Sequence, residues 1–331
     1  MKTLNYQKLL KNPLFVSRYI EPNINWRHSY LNGKRGIKRL FSYPYASLMR
    51  KFFLRSYFQK RVLRGIVDIP YVEIVLTTKC TLRCEHCCNL MQYFTPKAQY
   101  VGTLENIIES LEQLCSKVSS INRLRLIGGE PFLFKDLPQL LDYIESQKKI
   151  LTYDILSNGS IDIKEPILQR MKKSKKIRKV SISDYSHVPN IRLKQESIFK
   201  NLKKYRIPFS FLKGGTWHRL ERIHKRGRSK EQIIANYLSC RASCVSLIGG
   251  GGGKIAPKGA MFVCAAASSL SVLKGLEEFE GDYIDLTNET DRFLEFYAQD
   301  FYKSCDYCQD YSKPSEKILA AIQTREVLRI G

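Results

Sequence analysis

From residue 70 onward, short apolar runs alternate with longer stretches in which apolar residues recur at helical spacing. Tyr71 to Thr77, Arg123 to Ile127, Leu151 to Leu156, Ile177 to Ile182 and Pro208 to Lys213 are short and largely apolar, several of them β-branched, as buried strands are. Between them the periodicity predicts helices from Thr103 to about Val118, Leu137 to Ser146, Ile163 to Met171 and Ile191 to Lys204. In the first helix Thr103 supplies the N-cap, and Ile107, Ile108, Leu111 and Leu114 supply the apolar face. Cys115 on that helix reads as a plain core residue. Repeated βα units imply a parallel sheet, closed or half-closed as a barrel. A last helix is predicted from about Ser315 to Leu328.

Residues 1–66 break this rhythm and read as an irregular, mainly helical extension. Ile37 to Phe41 and Leu48 to Leu63 mix aromatic and basic residues at near-helical spacing. The chain carries a formal net charge of +24 over 331 residues, with 55 Lys and Arg against 31 Asp and Glu. This first segment holds +14 of that charge, with Glu21 its one acidic residue. Such a surface concentrates anionic partners: a phosphorylated substrate, an anionic membrane face or nucleic acid. The segment shows no recognisable nucleic-acid module, which ranks that partner last. The plainer reading is an amphipathic helix packed on the barrel with a solvated basic face. No apolar run approaches the roughly 20 residues of a membrane span. Lys8, Lys11 and Arg18 interrupt any secretory signal. A cytoplasmic location is expected, with a peripheral membrane position as the variant.

Ten cysteines carry the candidate chemistry. Cys80, Cys84 and Cys87 stand at C-x3-C-x2-C spacing just after the first strand, on the loop at a strand's C-terminal end where α/β folds place reactive groups. Thiolate sulfur is the soft ligand that iron–sulfur clusters and zinc select. Two plainer readings compete: a buried helical stripe, weakened by Thr77, Thr78 and Thr81, and a disulfide framework, which needs an oxidising compartment. After the second strand comes Gly128-Gly129-Glu130-Pro131, where glycines permit close backbone approach and Pro suits a helix start. Ser157-Asn158 follows the third strand and Ser183-Asp184 the fourth; short polar residues at strand ends are often only turns and caps.

The cysteine loop, with His86 just before its third cysteine, resembles the cluster loop of radical S-adenosylmethionine (SAM) enzymes. The resemblance implies that Cys80, Cys84 and Cys87 hold a [4Fe–4S] cluster whose open iron takes SAM. An electron from the cluster then cleaves SAM to a 5′-deoxyadenosyl radical that abstracts a substrate hydrogen. Gly128, Gly129 and Glu130 resemble the family's GGEP motif, which implies contact with the SAM amino group. By the same resemblance Ser157, Asn158, Ser183 and Asp184 face the SAM ribose and carboxylate. The implied fold is α/β, a partial (β/α)6 TIM-like barrel over residues 67–235, between the basic extension 1–66 and a small Cys-rich domain 236–331.

In that last part Cys240 and Cys244 precede Cys264, and Cys305-Asp-Tyr-Cys308 follows. Pro257-Lys-Gly259 reads as a hairpin turn. Four thiolates from two segments make a closed site for an iron–sulfur cluster or zinc. The spacing Cys244-x14-Gly259-x4-Cys264 with a downstream C-x2-C resembles the Twitch half of a SPASM-type extension. That implies one auxiliary [4Fe–4S] cluster on Cys244, Cys264, Cys305 and Cys308, with Cys240 the alternate to Cys244. The five glycines 249–253 read as a flexible connection, and His218 and His224 as isolated surface residues.

Taken together these features predict a radical SAM oxidoreductase or tailoring enzyme acting on a small or phosphate-linked molecule such as a sugar or polyol, with an external electron donor of the flavodoxin or ferredoxin type. A maturase of ribosomally made peptides ranks second. A non-catalytic zinc scaffold is the reading from another class.

Overall fold

The strands that carry the cysteine loop come after a set of N-terminal helices. The computed structural model describes residues 5–32, 38–213, 215–240, 245–248, 259–288 and 292–331. Helices α1 (Glu21–Leu31), α2 (Lys38–Met49) and α3 (Arg55–Leu63) come early, with a wider π-helical turn, Arg50–Leu54, between the last two. Strands and helices then alternate: β1 (Val72–Val75), α4 (Leu104–Lys117), β2 (Leu124–Ile127), α5 (Leu137–Ser146), β3 (Tyr153–Ser157), α6 (Glu165–Lys173), β4 (Ile177–Ser183), α7 (Gln195–Lys204) and β5 (Phe209–Leu212). The remainder contributes β6 (Thr216–His218), α8 (Lys230–Ser239), β7 (Val245–Ile248), β8 (Ala260–Phe262), α9 (Ala265–Lys274), β9 (Tyr283–Asp285) and β10 (Lys317–Leu319).

One eight-stranded sheet runs β9-β8-β7-β1-β2-β3-β4-β5. It is parallel from β7 through β5, and β8 and β9 continue it antiparallel. Six parallel strands with outer helices give the α/β partial-barrel architecture. The C-terminal hairpin is a continuation of the barrel's sheet, because β7 pairs with β1 through Val72↔Val245 to Val75↔Ile248. Cys244, Gly249 to Gly253, Pro257 and Lys258 lie outside the described residues.

Strand alternation divides the sheet into two chemically distinct faces. Ile74, Leu126, Ile155 and Val180 are register neighbours with no exposed surface. They share a core with Ile107, Leu111, Leu140, Ile167 and Ile198 of the helices. The next register row, on the face away from those helices, is Glu73, Arg125, Asp154 and Lys179. The N-terminal helices join the same core through Phe15, Tyr19, Ile20, Leu54, Phe58 and Val62. They are pinned polar-to-polar as well, since Arg61 grips the buried Asp68 with Nε at 2.5 Å and Nη2 at 2.8 Å.

The predicted helix over Ser315 to Leu328 does not form. Lys317–Leu319 instead pairs antiparallel with Thr216–His218, and residues 320–331 run on without helix. The segment's helix formers are outweighed by long-range partners: the ladder with β6 and then backbone bonds to the cysteine loop.

Candidate active site

The cysteine loop leaves β1 through two threonines that turn the chain. Thr77 Oγ1 donates to Tyr100 O at 2.9 Å and accepts from Lys79 N at 3.0 Å. Residues 80–90 then form an irregular loop with no helical turn, ending at Leu90 with φ of 60°. The helical-stripe reading of these cysteines therefore fails. Cys84 is buried, and Cys80 and Cys87 are half-buried. Burial pushes the Cys80 and Cys84 thiols up to about 12, and the nearby Cys87 raises both further. Three such desolvated thiols become thiolates together only beside a compensating cation, which a cluster's iron supplies. N–H groups already point at the sulfurs: Leu82 N to Cys80 at 3.4 Å and Asn158 Nδ2 to Cys80 at 3.5 Å. Among the described residues no three His, Cys, Asp or Glu side chains converge on a single ion position. A cubane needs no such convergence, because each thiolate binds its own iron. The donor set fits a Cys-ligated cluster.

The glycine pair is explained by contact with this loop. A Cβ on Gly128 would sit 2.4 Å from Thr77 O, and one on Gly129 would sit 2.2 Å from Lys79 O. That approach lets Gly129 N reach Thr77 O at 2.7 Å and Glu130 N reach Lys79 O at 2.9 Å. Glu130 has no exposed surface. Its carboxylate accepts from Phe132 N at 3.3 Å, Ser157 Oγ at 2.9 Å and Asn158 N at 2.8 Å. Burial lifts this carboxyl to about 7 against the pull of those donors. Glu130 and Ser157 thus tie the ends of β2 and β3 together. Asn158, held by Thr81 Oγ1 at 3.0 Å, turns its amide to Cys80.

Ser183 ends β4, and its carbonyl accepts from Gln195 Nε2 at 3.2 Å. Asp184 caps a local turn by accepting from Ser186 N at 3.1 Å and Ser186 Oγ at 2.6 Å. Tyr185 next to it meets Trp217 edge-on at 5.8 Å. Its hydroxyl is raised first by burial and also by Cys84, Cys87 and Cys88, which places it beside the cysteine loop. Burial also pushes the Cys88 thiol up to about 12, with Cys87 and Glu73 adding to the effect, although the residue keeps solvent access.

The segment beyond β10 straps the cysteine loop. Glu85 N donates to Ile322 O at 2.7 Å, and Thr324 N donates to Arg83 O at 2.8 Å. Gln323 accepts from Arg83 N at 2.8 Å through Oε1. Its Nε2 donates to Ala321 O at 2.6 Å and to Cys84 Sγ at 3.3 Å. The bond to Oε1 fixes the amide orientation, because a flip would set two donors against each other. Leu328 and Ile330 pack on a small apolar cluster with Leu90, Tyr93 and Ile223.

A second cysteine group lies away from this loop. Cys240, Cys264, Cys305 and Cys308 line one small cavity with Asn236, Tyr237, Val263, Ser304 and Tyr311. Burial raises the thiols of Cys264 and Cys308, and the other cysteines of the group raise them further. Cys264 sits at the N-cap of α9 and its sulfur accepts from Ala267 N at 3.4 Å, a position that favours thiolate. Arg226 Nε and Arg228 Nη1 each donate to Cys308 O at 2.9 Å, and Arg18 Nη2 donates to Tyr237 O at 2.8 Å. Among the described residues Cys240 lines this cavity; Cys244, the other candidate for the fourth place, lies outside them.

The sequence pattern of the Radical SAM superfamily matches residues 74–248, more than half of the chain. The chain belongs to the radical SAM superfamily. Among curated relatives, the GTP 3′,8-cyclase of Syntrophomonas wolfei subsp. wolfei is 31% identical over 100 residues, 28% of each chain. Molybdenum cofactor biosynthesis protein 1 of Dictyostelium discoideum is 25% identical over 154 residues, 46% of this chain and 22% of that one. These matches span less than a third of the relatives' own length. Among solved structures, Streptococcus suis SuiB bound to S-adenosylmethionine is 18% identical with a TM-score of 0.35, covering 61% of this chain and 41% of that one.

As a radical SAM enzyme the protein uses a [4Fe–4S] cluster and SAM, and the non-catalytic zinc scaffold falls. No helix among the described residues is long and apolar enough to cross a membrane. The fold brings Cys80, Cys84, Cys87, Gly128, Gly129, Glu130, Ser157 and Asn158 together at neighbouring strand ends. Ser183 and Asp184 stand at the end of the next strand and bond locally. Gln323 was missed from sequence, because nothing in its surroundings marks it and its target is 239 residues away.

Proposed function

We propose that Cys80, Cys84 and Cys87 hold the SAM cluster, and that the backbone of Gly128 and Gly129, together with Asn158, Ser183 and Asp184, receives SAM. When bound, cluster and cofactor supply a 5′-deoxyadenosyl radical that abstracts a substrate hydrogen. Glu130 and Ser157 would position the two loops that hold SAM through the bonds described above. The observation that carries this reading is three clustered, largely desolvated thiols with N–H donors aimed at two of them, packed on a glycine pair that admits no Cβ.

Cys264, Cys305 and Cys308, with Cys240 as fourth ligand, hold one auxiliary [4Fe–4S] cluster of the Twitch type in this reading. The chain divides into the extension 1–66, the barrel 67–235 and the auxiliary region 236–331, which lends the barrel its sixth parallel strand, β7. The substrate is a small phosphate-bearing molecule, oxidised, epimerised or otherwise tailored. The basic character of the protein supports that class, and relatives of part of the chain are named for a cyclase of GTP. A flavodoxin or ferredoxin type donor supplies the electron, in a cytoplasmic setting.

Iron, sulfide and zinc content of anaerobically reconstituted protein, with dithionite-driven SAM cleavage in the same tube, tests the reading. About eight irons per chain and formation of 5′-deoxyadenosine are expected. Cys84→Ala should abolish cleavage while the circular dichroism spectrum persists, and retained cleavage would remove the catalytic assignment.

A further inference from the structure

The charged row on the face of the sheet away from helices α4 to α7 is not neutral. Asp154, with no exposed surface, accepts from Arg123 Nε at 2.7 Å and from Arg125 Nε at 3.0 Å. Glu73 takes the other side of Arg125 at 3.6 Å. Two arginines and two carboxylates therefore cancel. Beyond them a register shift between Tyr153 and Asp154 inserts one extra residue into β4, so that Arg178 has no partner between Ile177 and Lys179. Such a bulge re-aims side chains and lets two successive residues serve one face.

Arg178 and Lys179 have no carboxylate within ion-pairing distance among the described residues. Arg178 donates to Ser29 Oγ at 2.5 Å and lies 5.8 Å from the Trp26 ring, which Arg123 shares at 4.3 Å. The Lys179 side chain makes no hydrogen bond among the described residues, and both cations are half-buried. Burial, and after it the charge of Arg123, pulls both below their ordinary values, with the more distant charge of Asp154 opposing. Partly desolvated cations without an ion-pair partner are costly, and an incoming anion relieves that cost. Glu73 and Asp154 each stand four residues before the loop residues Thr77 and Asn158, roughly 13 Å along their strands. That is a reach a small phosphorylated molecule spans.

We propose that Arg178 and Lys179, set by the β4 bulge beside the Arg123–Asp154–Arg125–Glu73 network, bind the phosphoryl group of the substrate. The inference rests on the small phosphate-bearing substrate proposed above and assigns the residues that would recognise it. The surplus of two positive charges matches a phosphate dianion. Trp26 and Ser29 of α1 close the floor of this subsite, which gives the N-terminal helices a part in substrate binding.

Inorganic pyrophosphate is the probe, titrated calorimetrically into the reconstituted full chain at fixed ionic strength. Wild type should bind it, and Arg178→Met/Lys179→Met should bind at least tenfold more weakly, with Lys179→Arg restoring most of the loss to Lys179→Met. Lys60→Met/Arg64→Met, on the basic extension, controls for diffuse attraction and should bind like wild type. Should the double variant misfold, lysine acetylation of the wild type read by mass spectrometry replaces it: pyrophosphate should protect Lys179 and leave Lys60 reactive. Equal affinity in wild type and double variant, or equal protection of the two lysines, overturns the proposal. Neither readout needs SAM cleavage, so a failure here is distinct from a failure of the cluster assignment.

Discussion

Glu130 is a buried carboxyl whose proton affinity couples the site to pH. Its value in the fold, about 7, lies above its ordinary 4.5, first because of burial. The folded state then binds the proton more tightly than the unfolded one between those limits. The stability this group contributes is complete below about pH 4.5 and is lost as pH rises to about 7. For a fully buried group the span is of order 3 kcal/mol. Glu130→Gln should therefore flatten the pH dependence of apoprotein unfolding in urea, compared at pH 5 and pH 8. Parallel curves for the two proteins would show that the donors from Phe132, Ser157 and Asn158 keep the carboxylate ionised throughout. The auxiliary site poses a separate question at this scale. Cys240→Ala should lower iron by about four per chain, and Cys244→Ala should leave it near eight, as measured by iron assay after reconstitution. The reverse pattern would return the fourth place to Cys244.

At the scale of elements, the strap formed by residues 320–331 is the least expected feature. Ala, Leu, Gln and Glu in this stretch favour helix, yet β6 offers an edge for Lys317–Leu319 and the cysteine loop offers backbone partners to residues 322–324. The strap delivers the Gln323 amide to Cys84 Sγ. Hydrogen bonds to cluster sulfurs make reduction easier. Gln323→Leu should therefore shift the midpoint potential of the SAM cluster to more negative values, read by EPR-monitored titration without SAM. The same variant should cost about 0.5–1.5 kcal/mol in unfolding free energy, since the hydrogen bond from the solvent-accessible Arg83 N is lost. An unchanged potential with lowered stability would leave Gln323 a purely structural clamp.

At the scale of the whole molecule, the basic charge and the exposed aromatic residues coincide. Tyr43, Tyr45, Leu48, Phe52 and Phe53 are each more than half exposed, interleaved with Arg50, Lys51 and Arg55. The opposite side of the same helices packs into the core through Leu54, Phe58 and Val62. Apolar contact plus basic charge is the composition that binds an anionic membrane face. Sedimentation with vesicles should show binding when phosphatidylglycerol is present and none with phosphatidylcholine alone. Binding should fall steeply between low and physiological salt and weaken in Phe52→Ser/Phe53→Ser. Equal behaviour on neutral and anionic vesicles would leave the patch without an electrostatic partner.

The order of strands and helices, the three clustered cysteines and the glycine pair were legible in the chain because each is a local pattern. Period-two and period-3.6 apolar spacing report a buried face directly, and Cys80, Cys84 and Cys87 are close in sequence as well as in space. What the chain order alone left open depends on contacts between distant segments. The two glycines are required by Thr77 O and Lys79 O on another strand's loop. Glu130 is an internal tie because β3 brings Ser157 and Asn158 to it. Cys240 lines the second cysteine cavity because α8 ends there. Gln323 reaches Cys84 because an edge strand outcompetes a helix, and the surplus charge of Arg178 and Lys179 emerges only when a bulge sets them beside a network that is already neutral. Periodicity states which residues are buried; only the assembled sheet states which of them meet.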